Sequence, residues 1–308
     1  MDALESVNFK TDSTVSIIRS LQEDNRIEYI HLDSLSYFQE SIEADVSTLR
    51  ILSINENRYK LGSRRKIKLN KLDCIFFRKD PPVDSYYTTL CHLFLKLQKQ
   101  NVLVLNSPKS LLEFNEKMLG YDLSDPKPPT LLSNSLSEIK KFLKLNEDIV
   151  MKPVNLMAGQ GIIRIKNTDK NNIEQIRRFL EKYKVAVSQK YLKQIKSGDT
   201  RIIIYDGIIE ENVLVRYPQK GDFRANIACG GSYKIKPINK KFSPVLNKVA
   251  SFLKYHDIFF AGVDMIGKYI TEINITSPTG VQQISGGLSK KIANSLVKKI
   301  QYHYEYTK

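Results

Sequence analysis

An apolar stretch near the end of the chain, from Gly262 to Thr279, contains two acidic residues and one amide. Glu272 and Asn274 are two residues apart, so on a strand they point to the same face. A tight turn at Gly267-Lys268 lets antiparallel pairing bring Asp264 across from them. Carboxylate and amide oxygens are ligands that suit Mg²⁺, with phosphates and water completing its shell. The pattern predicts a metal site; the alternative is the polar face of an exposed hairpin.

A lysine stands at the end of an apolar run in the middle of the chain. Lys152 follows Ile149–Met151, and a loop of small residues, including Gly159 and Gly161, comes before the next apolar run. Such an arrangement can cradle phosphate groups, although it is not a Walker A sequence. The alternative is an ordinary β-hairpin turn, which the loop composition taken alone favours.

Two arginines occur in a glycine-bearing stretch that spans residues 216–231. Arg216 and Arg224 could stabilise the spread negative charge of a phosphoryl transfer. A glycine-flanked loop is also suited to close over a site and exclude water. The alternative is a surface loop whose arginines are simply solvated.

The elements before residue 120 alternate between strand and helix patterns. Apolar spacing and hydroxyl caps predict a helix over 13–21, and helical spacing recurs over 88–99. Short apolar runs bounded by turn residues predict strands over 27–32, 49–55, 58–69, 72–78 and 102–105. This alternation predicts an α/β domain with a mostly parallel sheet.

A second pattern begins after a connector rich in Pro and Asp at residues 122–129. Helices are predicted at 137–144, 174–183, 245–255 and 288–302. The predicted strands are 130–132, 149–153, 161–165, 185–191, 201–205, 210–217, 259–266 and 269–275. This part of the chain therefore contains all three candidate chemical groups.

The composition limits the class of protein. The chain has 308 residues, 42% of them hydrophobic, and a net charge of +15, which calls for an anionic partner. Its lysines are spread out and no nucleic-acid-binding motif occurs, so two anionic substrates explain the charge more simply than nucleic acid does. No apolar run approaches the length of a membrane span, and no signal peptide is visible. The three separated cysteines predict free thiols, and we expect a cytoplasmic protein with no membrane partner.

The order of these groups resembles an ATP-grasp module: a lysine, then Lys152 with its small-residue loop, then an arginine lid, then Asp264 and Glu272-x-Asn274. More specific runs are similar to those of bacterial glutathione synthetase over nearly the whole chain. These runs are Arg78-Lys-Asp-Pro-Pro82, Asn115-Glu-Lys117, Gln189-x-Tyr-Leu192, Gly198-Asp199-x-Arg201, Arg216-x-Pro-Gln219 and Glu272-Ile-Asn-Ile-Thr-Ser-Pro278.

This resemblance implies an α/β (α+β) fold with an N-terminal α/β pre-ATP-grasp domain before a two-lobed ATP-grasp module. The implied N-terminal substrate-binding domain covers residues 1–115, and the ATP-grasp domain covers 116–308. Within the latter, a central lobe spans about 127–190 and a C-terminal catalytic lobe about 191–308. The family normally opens with a strand before the Met-Asp at residues 1–2, so we expect the first strand to be missing, as in a truncated gene model.

The resemblance also implies the reaction. ATP phosphorylates the carboxylate of γ-glutamylcysteine, and the amine of glycine displaces phosphate from the acyl phosphate to give glutathione, ADP and phosphate. ATP and Mg²⁺, with Mn²⁺ as an alternative ion, are the implied cofactors. Related enzymes are homo-oligomers, so a dimer or tetramer is expected.

Each group of implied site residues has one role. The residues that match ATP contacts are Lys117, Lys152, Gly159, Gly161, Gln189, Lys190, Tyr191 and Leu192. Those that match metal ligands are Asp264, Glu272 and Asn274. The arginines that match the acyl-phosphate and dipeptide site are Arg201, Arg216 and Arg224, and the further substrate contacts are Asn226, Ser277 and Thr279.

One departure concerns the phosphate-covering loop. Leu156 and Ala158 stand where the family has glycine, and each added Cβ restricts both the approach of the backbone to phosphate and the access to positive φ. This departure favours weaker ATP binding or a catalytically impaired homologue. A different ATP-grasp ligase, joining another acid to another amine, is the remaining alternative.

Overall fold

The computed structural model describes residues 1–307, which form an N-terminal unit, a central lobe and a C-terminal lobe. The elements of the N-terminal unit are, in chain order, α1 (Ser13–Leu21), β1 (Glu28–Ile30), β2 (Ser36–Phe38), β3 (Ser41–Ser53), β4 (Arg58–Leu61), β5 (Arg65–Lys68), β6 (Cys74–Phe76), α2 (Ser85–Gln98), β7 (Leu103–Leu105) and α3 (Pro108–Glu113).

The N-terminal sheet corrects the prediction of a mostly parallel sheet. The long strand β3 pairs antiparallel with β1, β2, β4 and β5 in a five-stranded sheet. Only β6 and β7 pair in parallel. The physical reason is the connections: short turns join successive strands around β3, whereas α2 supplies the long crossover that a parallel pair requires.

The central lobe is a small sheet with two helices and a core of its own. Its elements, after the linking helix α4 (Glu116–Leu123), are β8 (Thr130–Ser133), α5 (Leu136–Asn146), β9 (Asp148–Lys152), β10 (Ile163–Lys166), α6 (Asn172–Tyr183) and β11 (Ala186–Lys190). The strands lie in the order β10-β9-β11-β8, all antiparallel. The apolar faces of α5 and α6 bury Ile139, Leu143 and Ile176 against this sheet.

The C-terminal lobe is built on a six-stranded antiparallel sheet. Its elements are β12 (Asp199–Tyr205), β13 (Ile208–Ile209), β14 (Asn212–Tyr217), β15 (Ser232–Pro237), α7 (Ser243–Tyr255), β16 (Phe260–Ile266), β17 (Tyr269–Asn274), α8 (Val281–Ile284) and α9 (Leu288–Thr307). The main path runs β15-β14-β12-β16-β17, and β13 pairs with β12. The predicted turn at Gly267-Lys268 joins β16 to β17, with Gly267 at φ +61°.

The N-terminal unit and the C-terminal lobe share their apolar cores. One buried cluster joins Val46 and Phe94 of the N-terminal unit to Val263 and Ile273 of the C-terminal sheet. A second joins α1 and β7 to β12 and α9. The central lobe keeps a separate core, so the open cleft of the molecule lies between this lobe and the C-terminal sheet.

Most predicted elements are present with shifts of a few residues at their ends. α1 begins and ends where the pattern places it, at Ser13 and Leu21, because Asp12 caps its first turn by accepting a hydrogen bond from the backbone N–H of Val15 at 2.7 Å. The sequence interpretation missed β2, the first eight residues of β3, β13, β15, α3, α4 and α8. The largest omission is α4, since it carries Lys117 into the cleft.

Candidate active site

Strand register gathers the predicted charged residues into one row across the C-terminal sheet. Asp264 on β16 lies opposite Glu272 on β17 and opposite Arg201 on β12. Asn274 lies two residues further along β17, opposite Gly262. Paired residues on neighbouring strands share a face, so these side chains converge on one side of the sheet.

Asp264 is the centre of a buried charge network. Arg201 donates to both of its carboxylate oxygens, from Nε to Oδ1 at 2.6 Å and from Nη2 to Oδ2 at 2.8 Å. Arg216 Nη2 lies 2.9 Å from Oδ1, and Asn274 Nδ2 donates to Oδ2 at 3.1 Å. Burial opposes ionisation of Asp264, but the two arginines outweigh it and hold the pKa well below its usual range.

A second buried carboxylate lies beside this network. Asp199 on β12 is directly opposite Arg216 on β14, and its Oδ2 accepts from Arg216 Nη2 at 2.6 Å. Oδ1 of Asp199 and Nε of Arg216 are buried without a hydrogen-bond partner among residues 1–307. Burial raises the pKa of Asp199 to about 6, and the nearby charge of Asp264 acts in the same direction. Sequence interpretation quoted Asp199 in a family run but gave it no role.

Lys117 reaches β17 from the first turn of α4. Its Nζ lies 3.0 Å from Oε1 of Glu272 and donates to the carbonyl of Leu156 at 2.8 Å. Asn115 caps the helix by accepting from the backbone N–H groups of Lys117 and Met118. This lysine therefore connects β17 to the loop after β9.

Glu116 anchors α4 and was not assigned a role from the sequence. Its Oε1 accepts three hydrogen bonds, from the backbone N–H of Ile275 at 2.8 Å and from the N–H and hydroxyl of Thr276 at 2.9 Å each. Burial, together with the charge of Glu272, raises the pKa of Glu116. Its only sequence signal is its position beside Lys117 in the Asn115-Glu-Lys117 run.

Gly120 lets α4 lie directly against β17. A Cβ at this position would lie 2.7 Å from Cα of Glu272 and 2.9 Å from its backbone N. Both are backbone atoms, and carbon atoms in ordinary contact are about 3.5–4.0 Å apart. Only glycine permits this approach, which sets the distance between Lys117 and Glu272.

Lys152 enters the cleft from the opposite side, at the end of β9. Its Nζ donates to Oε1 of Gln189 at 3.1 Å, and Nε2 of Gln189 donates to the hydroxyl of Thr130 at 3.0 Å. Burial lowers the pKa of Lys152, and the positive charge of Lys117 adds to this effect, whereas Glu272 opposes it. Lys152 is half-buried, and its only hydrogen-bond partner is neutral, so its charge is poised to receive phosphate.

The loop after β9 keeps a left-handed backbone despite its substituted glycines. The φ angles of Ala158, Gly159 and Gly161 are +54°, +79° and +67°. A Cβ disfavours this region by about 1–2 kcal/mol, so Ala158 holds a conformation that glycine would adopt at lower cost. The backbone therefore keeps its left-handed conformation at Ala158, and the effect of the added Cβ is backbone strain at this residue.

The arginine lid rests on this loop. Arg224 is held by Asp222, with Nη2 to Oδ2 at 2.8 Å, and its Nη1 approaches the carbonyl of Gly159 at 3.4 Å. A Cβ on Gly159 would meet Oδ1 of Asn226 at 2.9 Å. The two loops thus cover the cleft together, and their contact depends on the glycine.

The cleft holds about 810 Å³ of space free of protein atoms, a volume that includes open solvent at its mouth. The predicted site residues that line it are Lys117, Lys152, Gly159, Gln189, Lys190, Tyr191, Leu192, Arg224, Asn226, Asp264 and Glu272. Six others do not line it: Arg201, Arg216, Gly161, Asn274, Ser277 and Thr279. Arg201 and Arg216 are buried behind Asp264, at 6% and 5% exposure, so in this state they act on the cleft through that carboxylate.

Ser277 and Thr279 follow β17 on the side of the N-terminal unit. Ser277 donates through its hydroxyl to Asp80, and the carbonyl of Thr279 accepts from Nη1 of Arg201 at 2.9 Å. Arg78 donates from Nη2 to the carbonyl of Pro278 at 2.8 Å and stacks under Phe260 at 4.7 Å. Arg78 and Arg201 therefore donate hydrogen bonds to the carbonyls of two consecutive residues of this turn, Pro278 and Thr279.

The donor set of the row fits a hard divalent cation. Asp264 and Glu272 supply carboxylate oxygens from directly paired positions, and Asn274 uses its Nδ2 for Gly262 and Asp264, which leaves its oxygen for a metal. The predicted set is thus two carboxylates and one amide. In the part of the chain that the structure describes, no cluster of three or more His, Cys, Asp or Glu side chains offers another metal site.

Comparison with known proteins bears on this geometry. The sequence models of the prokaryotic glutathione synthetase N-terminal domain and ATP-grasp domain match residues 1–111 and 116–288. This chain belongs to the prokaryotic glutathione synthetase family. It is 34% identical over 307 residues to a glutathione synthetase of Wigglesworthia glossinidia brevipalpis, covering 98% of this chain and 96% of the relative. It is 32% identical over 305 residues to one from Vibrio vulnificus, covering 98% and 95%.

Membership of this family makes the chain an ATP-dependent ligase of glutathione synthesis, which confirms the resemblance drawn from the sequence. Solved structures agree at the level of fold. D-alanyl-alanine synthetase A from Vibrio cholerae aligns with a TM-score of 0.61 at 13% identity, over 94% of this chain and 93% of that one. D-cycloserine synthetase DcsG gives 0.61 at 13% identity, over 76% and 86%. These neighbours confirm the expected mixed fold with its ATP-grasp module.

Two further predictions concern the chain as a whole. All three cysteines, Cys74, Cys91 and Cys229, are free thiols, as expected. No helix within residues 1–307 is both long and apolar enough to cross a bilayer.

Proposed function

We propose that this chain joins γ-glutamylcysteine to glycine through an acyl phosphate, with ATP as the phosphoryl donor. The cysteinyl carboxylate attacks the γ-phosphorus of ATP, and ADP leaves. The amine of glycine then attacks the acyl carbon, and phosphate leaves with the electron pair of the broken C–O bond. Phosphorylation turns a poor leaving group into a good one, which is why such a ligase consumes ATP.

ATP takes the cleft between the central lobe and the C-terminal sheet. Adenine lies against the Gln189–Leu192 segment, which lines the cleft beside the apolar side chains of Val150 and Ile195. Lys152 and Lys117 hold the phosphates from opposite walls. Lys117 is buried and Lys152 is half-buried in the cleft, so they lose little further solvation when an anion arrives.

Mg²⁺ is held in this proposal by Asp264, Glu272 and Asn274. The ion would neutralise negative charge that develops on the phosphates during transfer. Lys117 pairs with Glu272, and Arg201 and Arg216 pair with Asp264, so cations that can serve the phosphates and the acyl group lie directly beside the proposed ligands.

Arg201 and Arg216 stabilise the acyl phosphate, and Arg224 closes the site from the lid. A guanidinium keeps its charge at any working pH and presents paired donors to a phosphate. The contacts of Arg224 and Asn226 with Gly159 show how lid and loop meet over the cleft. Closure excludes water, which would otherwise hydrolyse the acyl phosphate.

Ser277 and Thr279 belong to the acid-substrate end of the site. They follow the end of β17 by three and five residues. This turn contacts the N-terminal unit through the hydrogen bond from Ser277 to Asp80 and through the hydrogen bond from Arg78 to the carbonyl of Pro278. Asn226 contributes from the lid. A cytoplasmic homo-oligomer, either dimer or tetramer, remains the expectation for the assembled enzyme.

The observation that carries this proposal is the row across the sheet. Arg201, Asp264 and Glu272 occupy directly paired positions on three strands, and Lys117 reaches the same row from α4. A row with the proposed metal ligands at one end and an arginine at the other suits phosphorylation of a carboxylate, because both groups stabilise the negative charge that develops in transfer.

The test measures phosphate release from ATP and Mg²⁺ with γ-glutamylcysteine, with glycine added or omitted. Release that needs both substrates, together with glutathione identified by mass, is the expected result. Hydroxylamine in place of glycine should give the hydroxamate of γ-glutamylcysteine, because a strong nucleophile captures an acyl phosphate.

Two variants make this test specific. Asp264→Asn should abolish turnover, whereas Asp33→Asn, which changes an exposed carboxylate on the N-terminal unit, should not. Folded wild-type protein that forms neither glutathione nor hydroxamate would contradict the proposal. A scan of other acids and amines would then distinguish another ATP-grasp ligase from an impaired homologue.

A further inference from the structure

One face of the central sheet forms a wall of the cleft. Val150 of β9 lines the cleft, and Arg164 on β10 and Gln189 on β11 lie directly opposite it. Directly paired residues share a face, so these three side chains form a row on the cleft side of the sheet. Asp148 precedes Val150 by two residues and Tyr191 follows Gln189 by two, so both extend the same face. Tyr191 also lines the cleft.

Arg164 is held rigidly on this face. Its Nε and Nη2 donate to Oδ1 and Oδ2 of Asp148 at 2.9 and 2.6 Å. This paired contact fixes the plane of the guanidinium, and its central carbon lies 3.6 Å from the centroid of the Tyr191 ring. At that distance the cation is in direct contact with the ring face, which attracts it. The side chains of Arg164 and Asp148 are 27% and 23% exposed, so solvent screens these contacts only in part.

Asp148 holds both the main chain and the side chain of Tyr191. Its carbonyl accepts a hydrogen bond from the backbone N–H of Tyr191 at 2.9 Å, and its carboxylate holds the ring through Arg164. Tyr191 is the first residue after β11, where the chain leaves the central lobe for the C-terminal lobe. By contrast, the ion pair of Arg178 with Glu174 lies on the exposed surface of α6. The contacts of Arg164 therefore immobilise a residue that belongs both to the cleft and to the connection between the lobes.

From these contacts we propose that Arg164 is a positioning residue for the nucleotide, which holds the ring of Tyr191 so that residues 189–192 meet the base in one fixed geometry. The inference rests on the part of the proposed function that places the adenine of ATP against this segment. Among residues 1–307, Arg164 does not itself line the cleft, so it acts through Tyr191. A segment that is ordered before the base arrives loses less conformational freedom on binding, and this raises the affinity for the nucleotide.

The first test measures the Kd for ATP with Mg²⁺ by calorimetry. Arg164→Ala should raise this Kd by about 2- to 30-fold, the range that one cation–π contact spans. Arg164→Lys should lose nearly as much, because an ammonium keeps the charge but presents neither the paired donors nor the flat face of a guanidinium. Arg178→Ala is the matched control, since it breaks the exposed ion pair with Glu174 in the same lobe and should keep the wild-type Kd.

Two further measurements separate positioning of the nucleotide from a general effect on the fold. In steady-state assays Arg164→Ala should raise the KM for ATP, while kcat and the KM for γ-glutamylcysteine stay near the wild-type values, because the reacting groups lie elsewhere in the cleft. In a double-mutant cycle, Tyr191→Leu removes the ring on which Arg164 acts. Adding Arg164→Ala to that variant should therefore produce little further change in the Kd for ATP.

Three outcomes would overturn the inference. The first is a wild-type Kd for ATP in folded Arg164→Ala or Arg164→Lys. The second is an equal rise in the KM for ATP and for γ-glutamylcysteine, which would leave Arg164 only a structural role. The third is a full loss of affinity from Arg164→Ala in the Tyr191→Leu background. Failure of the proposed reaction is a separate result, because wild type that binds ATP yet forms no glutathione would remove that reaction while calorimetry still decides the role of Arg164.

Discussion

Gly120→Ala is the substitution for which sequence and structure predict opposite signs. Gly120 lies inside α4, where alanine is intrinsically favoured over glycine by about 0.8–1.0 kcal/mol. From helix propensity alone the variant should be more stable. In the structure the new methyl group would meet Glu272 at 2.7 Å from Cα, 2.9 Å from N and 3.1 Å from the carbonyl carbon.

The helix has little freedom to move away. Glu116 ties its first turn to Ile275 and Thr276, and Ser124, at its C-terminal end, accepts from the N–H of Ile270 at 3.0 Å. Relieving the clash needs a shift of about 0.8 Å, because carbon atoms in contact are about 3.5–4.0 Å apart. Overpacking of this kind costs about 1–3 kcal/mol and offsets the helix-propensity gain.

We therefore expect Gly120→Ala to lower the free energy of unfolding in urea by up to about 2 kcal/mol, which is the overpacking cost less the helix-propensity gain. The shift also separates Lys117 from Glu272, and a displacement near 1 Å in a reacting site costs about 100-fold in rate. Gly286→Ala is the control, since a Cβ there meets nothing within 4 Å. A Gly120→Ala protein that is as stable as wild type and retains its kcat would refute the close approach of helix and strand.

Three further predictions follow from buried or strained groups. Ala158→Gly should remove about 1 kcal/mol of left-handed strain and lower the Kd for ATP measured by calorimetry; an unchanged Kd would show that the strain is not coupled to binding. Lys152→Met should abolish ATP binding yet stabilise the free protein. Because burial lowers the pKa of Lys152, its charge costs stability below that pKa, so the gain should be largest at pH 7 and shrink as pH rises toward 10 in urea titrations. Glu116→Ala should cost about 2–4 kcal/mol by orphaning the N–H groups of Ile275 and Thr276, whereas Glu116→Gln, which keeps the acceptor, should cost less than half as much; equal losses would contradict this role.

Local patterns were sufficient to predict the hairpin formed by β16 and β17. Alternation placed Glu272 and Asn274 on one face, and the Gly267-Lys268 turn predicted the antiparallel pairing that brings Asp264 opposite Glu272. The helix α1 was predicted from its cap and apolar spacing, and α5 and α6 from apolar spacing, because these signals are contained within each segment. The roles given to these residues still await the assays above.

The sequence by itself thus determined the chemistry available to the protein: which side chains could hold phosphate or metal, and in what order along the chain. Tertiary structure decided what those groups contact. The close approach of Gly120 to Glu272, the anchor from Glu116 to Ile275 and Thr276, and the hydrogen bond from Ser277 to Asp80 all join positions far apart in the chain. Such contacts depend on strand register and on the packing of distant surfaces, and neither leaves a periodic signal within one segment.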